Sequence, residues 1–309
     1  MITVRHLTKY FAARLAIDDV GFEVEQGEIV GFLGPNGAGK TTTMRVLAGY
    51  LMPSRGEVLI AGFDMIRDSI NAKRRLGYLP ELPPLYGDMT VRAYLRFVAR
   101  LRGLDRRATD RRVAEVIELC HLGDHGDLLL AKLSRGYRQR AGLAQAIIHD
   151  PQVIILDEPT AGVDPIQVAE FKRFLKDLGR NRTILLSTHI LPDVSAVCDR
   201  VIVIHHGRIV AQDRIETLAA QAARLGRLRL RIDGPSGEVT ARLQALAPLR
   251  TVTYEAPFHL VEYAPDDEPR GDITMAVVDG GWTLLSMEPV ETSLEGVFLE
   301  LTQQAGSAR

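Results

Sequence analysis

Apolar and polar positions along the first two thirds of the chain predict short strands that alternate with helices. Compact apolar runs of strand length lie at 28–33, 58–61, 153–156, 183–187 and 201–205. Helical spacing is found at 41–50, 136–148, 168–178 and 191–197. Continuous apolar runs are typical of strands buried on both faces of a parallel sheet. The alternation therefore indicates an α/β fold.

Two further segments of this region have patterns of their own. Residues 2–4 and 20–24 predict short strands, with Asp18 and Asp19 as a turn between apolar runs. Residues 91–121 have helical spacing and many arginines, which we expect to form a solvated face or a contact with a membrane partner or acidic headgroups.

The pattern changes near residue 220. Strands are predicted at 227–232, 251–255, 259–263 and 282–287, with a turn at 234–237. Helices are predicted at 238–246 and from a cap at Asp272 through 278, and a closing helix at 293–302. The order β-α-β-β-α-β is the ferredoxin-like pattern. We therefore expect a small α+β domain after the α/β region.

Length and composition narrow the class of protein. A chain of 309 residues suggests two domains at about 150 residues each. The net charge of −1 argues against a dedicated nucleic-acid binder. Cys120 and Cys198 form neither a metal-ligand cluster nor a disulfide framework. No apolar stretch approaches the roughly 20 residues of a membrane span, and the N-terminus lacks the apolar region of a signal peptide.

A glycine-rich segment follows the predicted strand at 28–33 and fits the pattern G-x-x-x-x-G-K-[ST] of phosphate-binding loops. Its glycines let successive backbone N–H groups point into one anion-sized hollow. Lys40 is expected to reach the β- and γ-phosphates of a nucleotide, and the Thr41 hydroxyl to bind Mg²⁺. The residues predicted to bind nucleotide are Gly34, Pro35, Asn36, Gly37, Ala38, Gly39, Lys40, Thr41 and Thr42.

Two carboxylates end the apolar run at 153–156. Asp157 and Glu158 would lie at the carboxyl edge of the sheet, where open α/β sheets bind ligands. Asp157 is expected to hold Mg²⁺, directly or through water. Glu158 is expected to polarise the attacking water as a general base.

Further motifs make the sequence resemble the nucleotide-binding subunit of an ABC transporter. Residues 133–140, Leu-Ser-Arg-Gly-Tyr-Arg-Gln-Arg, resemble the ABC signature; 161–164, Ala-Gly-Val-Asp, resemble the D-loop; and 187–189, Ser-Thr-His, resemble the switch-histidine segment. They occur in the family's order within residues 1–215. Residues 293–302 and 133–140 are similar to those of bacterial drug-export and gliding-motility-type ATPases.

The resemblance implies a head-to-tail homodimer that sandwiches two ATP molecules with Mg²⁺. Ser134, Gly136 and Asp164 would then serve the partner's nucleotide, and His189 would be catalytic together with Glu158 and Lys40. Phe11 aligns with the aromatic residue that stacks on adenine, and Tyr10 is the alternative. The alternative for both rings is ordinary core packing.

Several positions depart from the residues that are usual in the family, whose signature reads Leu-Ser-Gly-Gly-Gln. Arg135 and Tyr137 replace a glycine and the glutamine of the signature, and Arg135 is either a phosphate contact or a plain surface arginine. Glu81 stands where the Q-loop glutamine is expected; it would contact nucleotide and Mg²⁺, but an ionised carboxylate cannot donate a hydrogen bond. The D-loop variation is mild.

These expectations combine into one assignment. Residues 1–218 are predicted to form an ABC-type P-loop ATPase domain with a helical subdomain at about 82–150, and 219–309 an accessory or regulatory domain. The protein would energise a separate membrane permease, with export favoured, from the cytoplasmic face of the membrane. A soluble ABC ATPase acting on ribosomes or nucleic acid is the alternative, and we expect no nucleic-acid partner.

Overall fold

Two units make up the chain, Met1–Arg214 and Ile215–Arg309. The computed structural model describes residues 1–222, 226–264 and 267–290, without the side chains of 219–222. The boundary predicted after residue 218 lies just beyond this division. The predicted closing helix at 293–302 lies outside the described residues.

The strands of the first unit form a four-stranded sheet and a six-stranded sheet, ordered β2-β1-β4-β5 and β10-β9-β3-β8-β7-β6. Their bounds are β1 Ile2–Phe11, β2 Arg14–Val24, β3 Ile29–Leu33, β4 Arg55–Ile60, β5 Phe63–Asp64, β6 Leu76–Leu79, β7 Val153–Asp157, β8 Thr183–Thr188, β9 Arg200–His205 and β10 Arg208–Arg214. In the larger sheet β6, β7, β8, β3 and β9 are parallel, and β10 pairs antiparallel with β9. The carboxyl ends of these parallel strands therefore meet at one edge.

The first unit also has seven α-helices. They are α1 Lys40–Leu47, α2 Ser69–Arg74, α3 Val91–Leu101, α4 Arg106–Leu119, α5 Arg135–Ile147, α6 Pro165–Gly179 and α7 Leu191–Val197. The predicted helical stretch 91–121 is therefore two helices. Gly103, at φ +87°, breaks the stretch, and the Asp105 carboxylate caps α4 by accepting a hydrogen bond from Ala108 N at 2.8 Å.

Strand β7 shows why its sequence is apolar at every position. Ile154 and Leu156 pack into one hydrophobic core with the helices α3 to α5. Val153 and Ile155 pack into a second core, which contains Met44 of α1. Because successive side chains of a strand point to opposite faces, a strand with a core on each side must be apolar throughout.

Three differences from the predicted elements have physical causes. Asp18 and Asp19 do not form a turn but lie inside β2, where irregular pairing with β1 and a φ of +51° at Asp19 accommodate them. Strand β10 was not predicted from the sequence, because this edge strand carries charged, partly exposed residues. Strand β6, which has only four residues, was not predicted either.

The second unit begins with α8 Ile215–Ala222 and continues with a four-stranded antiparallel sheet of order β12-β13-β11-β14. Its other elements are β11 Gly226–Asp233, α9 Ser236–Gln244, β12 Leu249–Glu255, β13 Phe258–Tyr263, α10 Arg270–Asp279 and β14 Thr283–Pro289. This is the predicted β-α-β-β-α-β order. The alternating residues Leu228, Leu230 and Ile232 of β11 pack against Val239 and Ile273 of the two helices that follow β11 and β13.

Two local predictions in this unit are wrong. Asp272 is not the cap of α10, because that helix begins at Arg270 and Asp272 lies in its first turn. Residues 234–237 are not all turn, because α9 already begins at Ser236.

Close packing of α5 on β6 leads to a prediction about stability. A Cβ atom at Gly77 would lie 2.4 Å from the carbonyl oxygen of Ala146 and 3.0 Å from the Pro151 ring. Gly77→Ala should therefore lower the free energy of unfolding by about 2 kcal/mol, since overpacking forces backbone shifts. Urea denaturation measures this change.

Gly123→Ala is the matched control, because no atom lies within 4 Å of the added methyl group and the backbone there is not left-handed. Equal urea midpoints for the two variants would contradict the packing argument.

Candidate functional site

The loop between β3 and α1 curls tightly because glycine occupies three critical positions. Gly37 and Gly39 have φ values of +79° and +108°, which disfavour residues with a Cβ atom. A Cβ at Gly34 would lie 2.4 Å from the carbonyl oxygen of Ile204 on β9. Gly207 N, in the turn after β9, donates a hydrogen bond to Ala38 O at 2.9 Å. The loop is thus held against the sheet with the start of α1 directly behind it.

Lys40 places its ammonium group inside this loop. Its Nζ donates hydrogen bonds to Gly34 O at 2.8 Å and Pro35 O at 3.2 Å, and lies 3.2 Å from Glu158 Oε1. The residue is only 5% exposed. A buried cation requires such partners, since burial without them is very unfavourable.

Asp157 ends β7 at the carboxyl edge of the sheet and is fully buried. Its Oδ1 accepts hydrogen bonds from Ser187 Oγ at 3.0 Å and Thr41 Oγ1 at 3.3 Å. Within the described parts of the chain, Asp157 Oδ2 has no hydrogen-bond partner. Burial raises the pKa of this carboxyl above its ordinary value, although both hydroxyl groups oppose the rise.

Glu158 links the phosphate-loop lysine to His189. Its Oε2 lies 2.9 Å from His189 Nδ1, and its Oε1 contacts Lys40. Its backbone N donates to Ser187 O at 2.9 Å, and its φ of +47° is left-handed. A non-glycine residue in that region stores on the order of 1–3 kcal/mol of strain, and such strain is frequent at functional sites.

The structure thus brings together Lys40, Thr41, Asp157, Glu158 and His189, all of which the sequence predicted for the site. It adds Ser187, which the sequence analysis included in a motif without giving it a role. In the parallel pairing of β7 and β8, Ser187 lies opposite Asp157. A polar residue at the end of a strand beside the aspartate strand is the signal that could have identified it.

Ser134 and Asp164 serve as helix caps. Ser134 Oγ accepts a hydrogen bond from Tyr137 N at 3.4 Å at the start of α5, and Asp164 Oδ1 accepts one from Gln167 N at 3.0 Å at the start of α6. Among the described residues, neither hydrogen-bonds to Lys40 or Glu158.

The starts of α5 and α6 are packed closely together through two glycines. A Cβ at Gly162 would lie 2.6 Å from the guanidinium carbon of Arg135. A Cβ at Gly136 would lie 1.8 Å from Gln167 Oε1. Arg135 is exposed, so both interpretations of this residue, a phosphate contact and a plain surface arginine, stay open. Its guanidinium also covers the backbone of Gly162. Tyr137 stacks on His125 with ring centroids 3.7 Å apart.

Glu81 and Phe11 lie on the surface of the first unit. The Glu81 side chain is exposed, and its carbonyl oxygen accepts a hydrogen bond from Gln139 Nε2 of α5 at 2.6 Å. Phe11 is 45% exposed and Tyr10 is 42% exposed, so neither ring is ordinary core packing. Lys9 Nζ lies 5.3 Å from the centre of the Phe11 ring. Both aromatic residues therefore remain candidates for stacking on a base.

The oxygens of this site fit a small hard cation held jointly with phosphate. Thr41 and Asp157 offer a hydroxyl and a carboxylate, and Asp157 Oδ2 is buried without a partner. No group of three or more His, Cys, Asp and Glu residues that could hold a metal occurs among the residues described. Mg²⁺ usually binds through one or two carboxylates together with substrate phosphates, so it requires no such group.

Comparison with known sequences agrees with the motifs. A protein-family model described as ABC transporter matches residues 17–161. The chain is 32% identical over 301 residues to an uncharacterized ABC transporter ATP-binding protein, YxlF, of Bacillus subtilis, with 97% of this chain and 99% of the relative covered. It is 33% identical over 303 residues to the Nod factor export ATP-binding protein I of Burkholderia lata, with 97% and 96% covered.

Solved structures share the fold of the first unit. A structure of an ATP-binding subunit of an ABC transporter superposes with a TM-score of 0.65 at 31% identity, covering 72% of this chain and 92% of that one. A dimeric ATP-binding cassette in a post-hydrolysis state bound to ADP and Pi gives a TM-score of 0.64 at 20% identity, covering 70% and 99%. At that identity the second likeness concerns the fold alone.

The buried carboxylate leads to a prediction about stability and pH. Burial raises the folded pKa of Asp157, so ionised Asp157 destabilises the fold above the ordinary aspartate pKa. Asp157→Asn should therefore raise the free energy of unfolding at neutral pH by about 1 kcal/mol, the size usual for relieving strain at a functional site. The gain should shrink as pH falls through the raised pKa toward the ordinary value, where the wild-type carboxyl is protonated in both states.

Urea denaturation of the nucleotide-free chain at several pH values measures this difference. Asp127→Asn, at an exposed carboxylate, is the control and should show little change. A stability gain that is equal at all pH values would contradict the assignment to ionised Asp157.

Proposed function

The chain belongs to the ATP-binding subunits of ABC transporters, and on that premise we propose that it hydrolyses ATP in a homodimer and thereby drives a separate membrane permease. The observation that carries the proposal is the contact of one loop lysine with one strand-end glutamate. Lys40 Nζ and Glu158 Oε1 lie 3.2 Å apart beside buried Asp157. The contact brings a candidate phosphate-binding cation, a candidate metal ligand and a candidate base together beside one loop.

The glycine-rich loop and Lys40 are proposed to bind the phosphates of ATP. The Lys40 ammonium donates to loop carbonyl oxygens, and phosphate oxygens are stronger, charge-assisted acceptors for the same group. The first N–H groups of α1 point toward the loop, and helix N-termini favour anions. Phe11 or Tyr10 would stack on the adenine ring, and residues through Thr42 would complete the phosphate contacts.

Thr41 and Asp157 are proposed to hold Mg²⁺, with Glu81 as a further candidate through its exposed carboxylate. Bound Mg²⁺ would neutralise charge on the phosphate oxygens. Ser187 keeps the Asp157 carboxylate oriented by its hydrogen bond to Oδ1, which leaves Oδ2 unpaired. The residues fit such an ion because both ligands are oxygens.

Glu158 is proposed to accept the proton of the attacking water. Its two oxygens have different neighbours, Lys40 at Oε1 and His189 at Oε2. When Lys40 exchanges Glu158 for phosphate, Oε1 becomes free to accept a proton from water. His189 then holds the carboxylate by its other oxygen, which fixes the direction of the base.

A second copy of the chain is proposed to complete each site. Ser134 lies exposed at the start of α5, and its cap hydrogen bond is local to that helix. Free N–H groups of α5 and the Ser134 hydroxyl suit a γ-phosphate carried by another subunit. Gly136 and Asp164 would lie at the same interface.

The segment after Glu81 is proposed to contact the permease. Leu82 and Tyr86 are exposed apolar residues, and Tyr86 packs against Phe97 of α3 with ring centroids 5.7 Å apart. Gln139 binds the carbonyl of Glu81, so movement of this segment would reach the helix that begins at the signature. No helix among the described residues is long and apolar enough to cross a membrane, and a separate permease would supply that part.

Export is the proposed direction, at the cytoplasmic face of the membrane. The relative from Burkholderia lata, which matches along nearly its whole length, is named as an export protein. The alternative of a soluble ABC ATPase on ribosomes or nucleic acid is not favoured. The net charge of −1 gives little bulk attraction for nucleic acid, whose binding would have to weaken steeply with salt.

Lys40→Ala tests the nucleotide assignment. The variant should lose ATP binding, because it removes the only loop side chain expected to reach the β- and γ-phosphates. Fluorescent ATP-analogue titration measures the change. Arg45→Ala removes an exposed cation from the same helix and should bind ATP as the wild type does. Undiminished binding by Lys40→Ala would overturn the loop assignment.

Glu158→Gln tests the proposed base and the dimer together. The amide keeps the shape of the side chain but cannot accept the proton, so ATP turnover should fall at least 100-fold, as expected for losing a general base. ATP binding should persist, and the ATP-bound chain should run as a dimer in size-exclusion chromatography. Turnover at the wild-type rate would mean that another residue is the base.

The same variant tests the coupling to a permease. Tagged Glu158→Gln with ATP should capture a polytopic membrane protein in stoichiometric amount from detergent-solubilised native membranes, as identified by mass spectrometry. Lys40→Ala, which should not bind ATP, is the control for nucleotide dependence. Recovery of ribosomal or nucleic-acid-bound material without a membrane protein would support the soluble alternative.

A further inference from the structure

The eight arginines from Arg92 to Arg112 divide into two groups when their contacts are compared. Four of them are held by the protein itself. Arg92 pairs with Asp127 at 3.2 Å, Arg96 with Asp110 at 3.0 Å, and Arg112 with Glu115 at 2.7 Å, while Arg102 donates to a backbone carbonyl oxygen at 3.0 Å. The charges of this first group are largely neutralised or engaged locally.

The second group is concentrated where α3 ends and α4 begins. Arg100 is in the last turn of α3, and Arg106, Arg107 and Arg111 are in the first two turns of α4. All four side chains are exposed. Within the part of the chain that the structure describes, no carboxylate lies within salt-bridge distance of any of them. These four arginines therefore have no salt-bridge partner among the described residues.

The position of two of these arginines is unfavourable for the fold. Arg106 and Arg107 are the first residues of α4, next to the positive end of its helix dipole. The Asp105 carboxylate at this end accepts a hydrogen bond from the backbone at Ala108 N. A sequence selected for helix stability alone would have acidic residues in this turn. Departures from such local preferences for helix stability are expected at functional sites.

An exposed apolar residue lies among these cations. Leu101 is 70% exposed at the end of α3, directly beside Arg100. Exposed arginines next to an exposed leucine suit a bilayer interface, where arginines pair with headgroup phosphates and an apolar side chain reaches the acyl boundary. Nucleic acid would also attract the four arginines, but it would leave the exposed Leu101 side chain without an apolar environment.

We propose that this basic tip, which consists of Arg100, Leu101, Arg106, Arg107 and Arg111, binds the anionic phospholipid surface of the membrane. The contact would add to the proposed permease contact and orient the subunit beneath the bilayer. Its location rests on the proposed function, since a transporter subunit works next to a membrane. The binding itself requires neither ATP nor permease.

Vesicle flotation of the full chain tests the proposal. The wild type should bind vesicles rich in phosphatidylglycerol, should bind phosphatidylcholine vesicles weakly, and should be released by added salt. Arg106→Gln/Arg107→Gln should weaken partitioning about 30-fold, because each arginine near an anionic bilayer is worth roughly a factor of five.

Arg55→Gln/Arg250→Gln is the matched control, since it removes two exposed arginines from strands elsewhere in the chain. This control should bind as the wild type does. Thermal unfolding should show that Arg106→Gln/Arg107→Gln is as stable as the wild type or more stable, because the removed charges oppose the helix dipole. Lost vesicle binding then cannot be attributed to unfolding.

Three results would overturn the proposal. They are equal binding of the wild type to both kinds of vesicle, equal binding of the tip variant and the wild type, and binding only to membranes that contain the permease, which would make the tip a protein contact. ATP turnover and permease capture are measured separately. If they succeed while vesicle binding fails, the proposed function stands without the lipid contact.

Discussion

The contact of Lys40 with Glu158 is the interaction on which the rest of the site depends. Two opposite charges, both almost completely buried, must stay together unless a ligand replaces one of them. The fold provides this pairing because β3 and β7 end at the same edge of one parallel sheet. Every other feature of the site extends from this pair, with His189 at the second oxygen of Glu158 and with Ser187 and Thr41 on neighbouring Asp157.

The site also stores free energy that the fold alone would avoid. Asp157 is buried with one oxygen unpaired, and Glu158 has a left-handed backbone. The two continuous hydrophobic cores on either side of β7 hold these residues in place. A strained carboxylate edge on a rigid sheet is preorganised, so a bound nucleotide would gain favourable contacts without a large rearrangement of the strands.

Sequence patterns predict the elements that bury continuous apolar residues. They fail for elements whose position depends on partial exposure or on contacts between distant parts of the chain. The run at 153–156 is unmistakable because both of its faces are covered, and the strand-end position of Asp157 follows from it. Strand β10 lies at a sheet edge with mixed polarity, so its residues show no period. The split of 91–121 depends on one glycine, Gly103. The covering of Gly162 by Arg135 joins residues far apart in sequence, and no local pattern predicts such a contact.

That last contact has a mechanical consequence for a head-to-tail pair. Arg135 follows Ser134, which would serve the partner's nucleotide, whereas Gly162 follows Glu158, which would act on the subunit's own. Because the Arg135 guanidinium covers Gly162 and Gln167 Oε1 lies against Gly136, a shift of one turn would press on side chains of the other. Each subunit would transmit movement between two nucleotides. A change at one nucleotide would then reach the other through the same subunit.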